Sequence, residues 1–434
     1  MALLADLGPA PLLAPRATRL VIDLRPLQEP ERSPLTAAYL GHLLGAFAAD
    51  PLPGEDLVAL LRARRPDPTT ALAERGLVVA GRRWLPPTTR VLRSTGLTID
   101  ALLLRAAEVR SASVPVVDGP VGAVYHTAGG AIPVASPLPV VATLLDLAPW
   151  ELPARYARSA PARLGHRMRA RALRGASRVL VCSRATAEAA IRLLELPPES
   201  VAVVPLAADD AFHPGAADVS IMARLRDAHD LPERFLVVGG RYDARSDLLT
   251  VLAAVGSLRG SPVRSEGDDP PVLVLAGAAG PDAGSRSRVA ALVEQLGVSD
   301  LVRLTPPLAV DELAALEAAA VGHVQASLSD ATGWGALEAL AAGTPVICSR
   351  TGPLPEIVGP CGIIVEPRDS DRMATAIAAL WSDGPVARQV RRAAQNRAAG
   401  PRRRWADVAH ETREILAQAA EAAAATATQR RDVG

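Results

Sequence analysis

Short runs of β-branched and other apolar residues alternate with helical patterns along most of this chain, and that alternation restricts it to parallel sheets covered by helices. The strand candidates in the first half are residues 20–24, 123–126, 140–144, 178–182 and 201–204. In the second half they are 235–238, 272–276, 302–304, 323–325, 346–348 and 363–365. Two α/β sets follow from this spacing. Between them, residues 205–218 are rich in Ala, Asp, Pro and Gly without a period, which suits a crossing between domains near Gly215. The expected units are 1–214, 215–400 and a tail, 401–434, that dissolves into Ala, Thr and Arg from Ala420 onward.

At 434 residues with 49% hydrophobic content, the chain is large enough for two or three packed cores. Its 47 basic and 46 acidic residues nearly cancel, which argues against a protein that blankets nucleic acid. There is no lysine, so every basic residue is arginine. Schiff-base chemistry, a P-loop lysine and glycogen-type phosphorylase chemistry are thereby excluded, and phosphates must be held by arginine, backbone N–H groups or hydroxyls. Cys182, Cys348 and Cys361 lack metal or disulfide spacing and read as small core residues. No stretch reaches the roughly 18 apolar residues of a membrane span, and residues 1–15 lack a basic leader, so the expected location is cytoplasmic.

Two stretches of the second half carry chemistry. FLVVGGRYDAR, residues 235–245, reads as a buried strand ending in Gly239 and Gly240 that delivers Arg241 and Arg245 to the carboxyl edge of a sheet, where open α/β sheets bind ligands. SLSDATGWGALEALAAGTP, residues 327–345, reads as a loop with Gly333 and Gly335 running into a helix that begins near Trp334. N–H groups at such a helix start face anions, and carboxylates such as Asp330 and Glu338 suit sugar hydroxyls. Taken alone, Glu338 reads more readily as an acid that caps or salt-bridges an exposed helix. The segment 155–174 adds Arg155, Arg158, Arg163, Arg167, Arg169, Arg171 and Arg174 without an acidic residue. It reads as a solvated basic helix, with anionic lipid headgroups as the alternative neighbour.

These elements, in this order, resemble the GT-B glycosyltransferases, in particular the retaining group known as family 4. The resemblance covers nearly the whole chain, through YHTAGG at 125–130, TLLDLAPWELP at 143–153, VLVCSRATAEAAIRLL at 179–194, PESVAVVPLAADDAF at 198–212, GGRYDARSDL at 239–248 and DATGWGALEALAAGTPVICS at 330–349. It implies two Rossmann-like domains whose parallel sheets face each other across a cleft, and a C-terminal helix that crosses back to the first domain and is anchored by Trp405. The implied activity is metal-independent transfer of a hexosyl group, with retention, from a nucleotide diphosphate sugar to the hydroxyl of a saccharide or lipid-linked acceptor.

Carried over residue by residue, the resemblance implies that Arg241 contacts the diphosphate, with Gly240 allowing close backbone approach. Asp330 and Glu338 stand at the two acidic positions of the family's E-x7-E pattern. Glu338 would hold the ribose, and Asp330, with the N–H groups of Thr332 and Gly333, would address the donor sugar and its phosphate. Glu356 would cap or orient its own loop. The chain also departs from the family. Ser246 replaces a lysine, for which Arg245 would stand in. Leu145, before Asp146, replaces a histidine, for which His126 would compensate. Ser33-Pro34-Leu35-Thr36 replaces a glycine-containing loop, and Asp330 is one methylene shorter than the usual glutamate. These departures keep a second reading open, a non-catalytic GT-B-like partner protein with a degenerate donor pocket. The other histidines, His42, His166, His213, His229, His323 and His410, read as structural or surface residues.

Overall fold

The computed structural model describes residues 18–85, 122–128, 132–133, 136–239, 242–259, 270–277, 283–382 and 384–432. Two parallel sheets organise them. The first contains β1 (Thr18–Asp23), β2 (Glu55–Arg62), β3 (Val79–Leu85), β4 (Gly122–Ala128), β5 (Val140–Thr143), β6 (Arg178–Val181) and β7 (Val201–Val203) in the order β3-β2-β1-β4-β5-β6-β7. The second contains β8 (Leu236–Val238), β9 (Leu273–Leu275), β10 (Val302–Leu304), β11 (Gly322–Gln325), β12 (Val346–Ser349) and β13 (Gly362–Val365) in the order β10-β9-β8-β11-β12-β13. Each order reverses once, between β1 and β4 and between β8 and β11. Parallel α/β sheets place their ligand crevices at such reversals.

Most of these strands are apolar on both faces because helices cover both sides, and this explains why they stand out in the sequence. Two strands were not anticipated. β2 opens with Glu55 and Asp56 and continues in Ala and Leu, which carry helix propensity. β3 alternates exposed and half-buried residues through Arg82 and Arg83 and forms the sheet's outer strand, where charged side chains discourage further pairing.

The sheets are joined by two crossings. The first leaves β7 and passes Gly215 before the helix Val219–His229. The second, residues 400–404, leads into the helix Trp405–Asp432. Arginines tie the crossings together: Arg403 Nε donates to the Pro205 carbonyl at 2.9 Å, and its two terminal nitrogens hold Glu411 at 2.8 and 2.7 Å. The final helix packs on the first domain, with Val408, Leu416, Ala419 and Ala420 in its core. It does not dissolve at Ala420, as its composition suggested, but continues to Asp432. Alanine is the best intrinsic helix former, and the packed first half supplies the nucleus.

Candidate active site

The cleft lies between the carboxyl edges of the two sheets. Pro34, Leu35, Leu145 and Asp146 of the first domain face Gly239, Arg245, Ser246, Gln325 and the 326–335 loop of the second across a cavity of about 230 Å³. That is smaller than the roughly 300–1,000 Å³ of pockets that enclose drug-sized ligands. Pro34 begins the helix Pro34–Ala49, so the segment that replaces a glycine-containing loop presents proline and leucine to the cleft.

Four of the anticipated residues, Arg245, Ser246, Asp330 and Thr332, line this cavity. Gly240 and Arg241 lie outside the described residues. Their neighbours are placed: Gly239 borders the cavity, and the Tyr242 hydroxyl donates to the Val238 carbonyl at 2.7 Å.

Asp330 builds its own loop. Its Oδ1 accepts from the N–H groups of Thr332 at 3.0 Å and Gly333 at 2.8 Å, and its Oδ2 accepts from Gln325 Nε2 at 2.6 Å. This corrects the expectation that the Thr332 and Gly333 N–H groups are offered to a phosphate. An aspartate bonds the backbone two and three residues ahead of it more readily than it leaves those donors to a ligand. The chain turns into the helix Trp334–Ala341 at Gly333, whose left-handed φ of 61° and close approach to Ile357 leave no space for a side chain. Trp334 and Gly335 follow, and their N–H groups meet no acceptor among the described residues. They are the donors that the helix start offers to the cleft.

Glu338, one turn further, is partly buried and makes no side-chain hydrogen bond or ion pair among the described residues. Burial, with Glu317 and Asp209 adding negative charge nearby, pushes its carboxyl up to about 8. The carboxyl is therefore largely neutral near pH 7, with no described side chain to pair with it.

Arg245 reaches the cleft but is not free. Its Nη1 donates to Asp146 Oδ2 across the cleft at 2.9 Å, and its Nη2 and Nε hold Asp243 at 2.5 and 3.1 Å. A guanidinium in this position can serve a diphosphate only by exchanging a carboxylate for it. His126 is corrected outright. It lies within β4, wholly buried, on the same face as Val124 and Ala128, whose cluster includes the final helix. Its Nδ1 lies 3.2 Å from the Val141 carbonyl, and burial pushes its pKa down to about 4 against the pull of that bond. An imidazole enclosed there cannot reach a sugar in the cleft.

The domains touch at several further points. Trp334 inserts into the first domain's core, with ring centroids 5.4 Å from Trp405 and 5.6 Å from His42, while His42 stacks on Trp405 at 4.7 Å. Trp405 is thus the packing anchor anticipated, and His42 shares the anchor. Thr186 Oγ1 donates to the Ala331 carbonyl at 2.9 Å, and Ser329 Oγ to Glu151 Oε2 at 2.5 Å. Burial, with Asp146 and Asp330 nearby, raises the Glu151 carboxyl above its usual range, although Ser329 opposes this. Glu356 does not cap its own loop. It accepts from the N–H groups of Arg184 and Ala185, at the start of the helix Arg184–Leu194 in the other domain.

Sequence reasoning missed a polar cluster beneath the cavity. His323 Nδ1 and Glu317 Oε1 are 2.9 Å apart, and both side chains are almost fully buried. His323 and Gln325 stand two residues apart on β11 and so share a face of the sheet. The signal was available: two polar side chains at i and i+2 in a strand covered on both faces have no reason in packing alone.

Residues 224–397, the greater part of the second domain, match the family described as "Glycosyl transferases group 1". Among curated relatives, the MMP alpha-(1->4)-mannosyltransferase of Mycolicibacterium hassiacum is 39% identical over 136 residues, 30% of this chain and 32% of that protein. The D-inositol 3-phosphate glycosyltransferase of Corynebacterium jeikeium is 33% identical over 189 residues, 42% of this chain and 44% of its own. The chain thus spans about a third to a half of the length of these relatives. Among solved structures, sucrose-phosphate synthase from Thermosynechococcus elongatus superposes with a TM-score of 0.68 at 20% identity, over 92% of this chain and 98% of that one. Anabaena Alr3699/HepE in complex with UDP and glucose gives 0.64 at 16% identity, over 92% and 100%. The chain has the GT-B fold, and residues 224–397 within its second domain match the group 1 glycosyl transferases.

Proposed function

We propose that this protein transfers a hexosyl group from a nucleotide diphosphate sugar to an acceptor hydroxyl, with retention and without a metal ion. The observation that carries the proposal is the cavity at the second sheet's reversal point. Its wall carries the helix-start N–H groups of Trp334 and Gly335 beside Ser246, Arg245 and Asp330, and Glu338 follows one turn along the same helix, outside that wall. The likeness to a mannosyltransferase and an inositol phosphate glycosyltransferase, and UDP in the HepE complex, support a donor of this chemistry.

In this reading Arg241, Arg245 and the helix start neutralise the charge that develops on the departing diphosphate. Glu338 takes the ribose hydroxyls, and Asp330, held by its own loop, faces the sugar. Ser246 supplies a hydroxyl where a fixed cation would otherwise bind phosphate, so Arg245 becomes the nearest replacement once Asp146 releases it. The small cavity corresponds to a closed arrangement that opens for the donor and excludes water when it shuts. The acceptor would be a saccharide or lipid-linked hydroxyl on the first domain's side.

Contact with an anionic membrane is part of the proposal, through the helix Ala160–Arg174. Its exposed face carries Arg163, Leu164, Arg167, Arg171 and Arg174 and no acidic residue. No helix among the described residues is long and apolar enough to cross a membrane.

A thermal-shift and calorimetric screen of UDP, GDP and ADP and their glucose and mannose derivatives tests the donor. Saturable binding of one nucleotide series is expected. No binding by any of them would remove the enzymatic reading and leave a GT-B-like partner protein. Flotation with anionic liposomes at low and high salt tests the membrane contact.

A further inference from the structure

The polar cluster beneath the cavity has an order to it. Glu317, on the helix Val310–Ala319, binds His323 Nδ1 on β11. Gln325 donates from Nε2 to Asp330 Oδ2, and Asp330 Oδ1 holds the loop that opens the helix Trp334–Ala341. Between these two halves lie two buried atoms with no hydrogen-bond partner among the described residues, His323 Nε2 and Gln325 Oε1. They border the same point: a Cβ built on Gly335 would stand 3.0 Å from Gln325 Oε1 and 3.7 Å from His323 Nε2. On the other side, Gly239 approaches the His323 ring so closely that no side chain fits there. Gly239, Gln325 and Gly335 all line the cavity, and His323 lies directly behind them.

Resting on the functional reading above, we propose that Glu317, His323 and Gln325 form a buried relay that positions Asp330 for the donor sugar. Donor and acceptor roles fit at every link. The Glu317 carboxylate accepts from Nδ1–H of the ring, Nε2–H is directed at the Gln325 carbonyl oxygen, and the Gln325 amide donates to Asp330. The last direction fixes the amide, because an ionised aspartate accepts only, so Gln325 must turn its nitrogen toward Asp330 and its oxygen toward His323. The middle link needs only a small closing movement or one bridging water between two atoms that already face a common point. Other titratable groups face the pair: Glu338, from the helix that carries Gly335, and Tyr242, from the loop after β8, both feel the charge of Glu317. Burial favours a neutral ring, but Glu317 outweighs it and lifts the pKa of His323 above its usual range. Two acceptors flank the ring, the Glu317 carboxylate at Nδ1 and the Gln325 oxygen facing Nε2, so the relay requires a proton on each nitrogen.

Two measurements on the full chain test the relay. In ¹⁵N-histidine-labelled protein, one imidazole is expected to be doubly protonated at pH 7.5, with a strongly downfield Nδ1 proton. Glu317→Gln should make that ring neutral, and Gln325→Met, which keeps the volume, should shift its Nε2 proton alone. The second measurement compares affinity for whichever nucleotide sugar shifts the melting temperature most with affinity for the matching nucleoside diphosphate. Gln325→Met and His323→Phe should weaken the sugar nucleotide by about tenfold and leave the bare diphosphate within about twofold, because the relay acts through Asp330 on the sugar side. Equal weakening of both ligands, no weakening of either, or a neutral ring in the wild type overturns the proposal. Should the wild type bind no nucleotide at all, the glycosyl reading fails by itself, and the imidazole signature alone decides the relay.

Discussion

The two sheets share one topology around their reversal points, yet the edges they turn toward each other differ in chemistry. The second sheet's edge is polar and directed: Asp330 is tied into its own loop, Glu338 stands without a partner, Ser246 borders the cavity, and a histidine–glutamate pair lies behind. The first sheet's edge presents Pro34, Leu35 and Leu145, with Asp146 as its charged contribution to the cavity wall. Topology therefore supplies a crevice, and only the side chains at the strand ends decide whether it binds anything. The two edges meet at one ion pair, Arg245 with Asp146, in which the first domain holds the cation that the second would use on a phosphate.

The comparison breaks most readily at Trp334, a residue of the second domain's helix buried in the first domain's core. Trp334→Ala should cost about 3–5 kcal/mol, the usual range for removing a buried tryptophan. Chemical denaturation should show one transition splitting into two as the domains separate. A single unaltered transition would mean that the two halves do not depend on this anchor.

Next in size is Glu338→Ala. Loss of its hydrogen bonds should weaken nucleotide binding by about tenfold to a hundredfold in calorimetry. Unchanged affinity for every nucleotide that the wild type binds would place the donor elsewhere.

Asp146→Asn tests whether the first domain competes for Arg245. Nucleotide affinity should rise about threefold, roughly the worth of a partly exposed ion pair, while the melting temperature falls slightly. A fall in affinity would instead assign Asp146 to orienting the guanidinium.

The smallest effect is one of pH. Because the folded protein raises Glu338 to about 8, the native state binds more protons than the unfolded chain between the ordinary glutamate range and that value. This contribution to stability is therefore full below pH 4.5 and is lost as pH rises toward 8. Glu338→Gln should flatten that slope, gaining about 3 °C in melting temperature at pH 8 relative to pH 5. A parallel offset at all pH values would show that the acid is already solvated.

Much of the second domain was legible. Its strands are short apolar runs, and its loop–helix stretch carries Gly333, where a left-handed turn is required, and Asp330, which lines the cavity, whereas Glu338 is not part of the cavity wall. The failures have physical causes. His126 looked available because it ends a strand motif, but β4 continues to Ala128 and turns the ring into the core. The Thr332 and Gly333 donors looked free because a sequence shows where N–H groups are, not which nearby carboxylate reaches them first. His323 and Gln325 were passed over because each, taken singly, resembles an ordinary buried residue.

By itself the sequence determined the alternating architecture, most strands of the two sheets, the lack of lysine and the loop–helix stretch at the second reversal point. These are local properties, set by period, turn stereochemistry and residue type within a few positions. Partnership was decided by the tertiary structure: Asp146 with Arg245, Glu317 with His323, Glu356 with the start of the opposite domain's helix, Trp334 with Trp405. Hydrogen bonds and ion pairs act over about 3 Å, and no pattern along a chain specifies which residues of different elements will be brought within that distance.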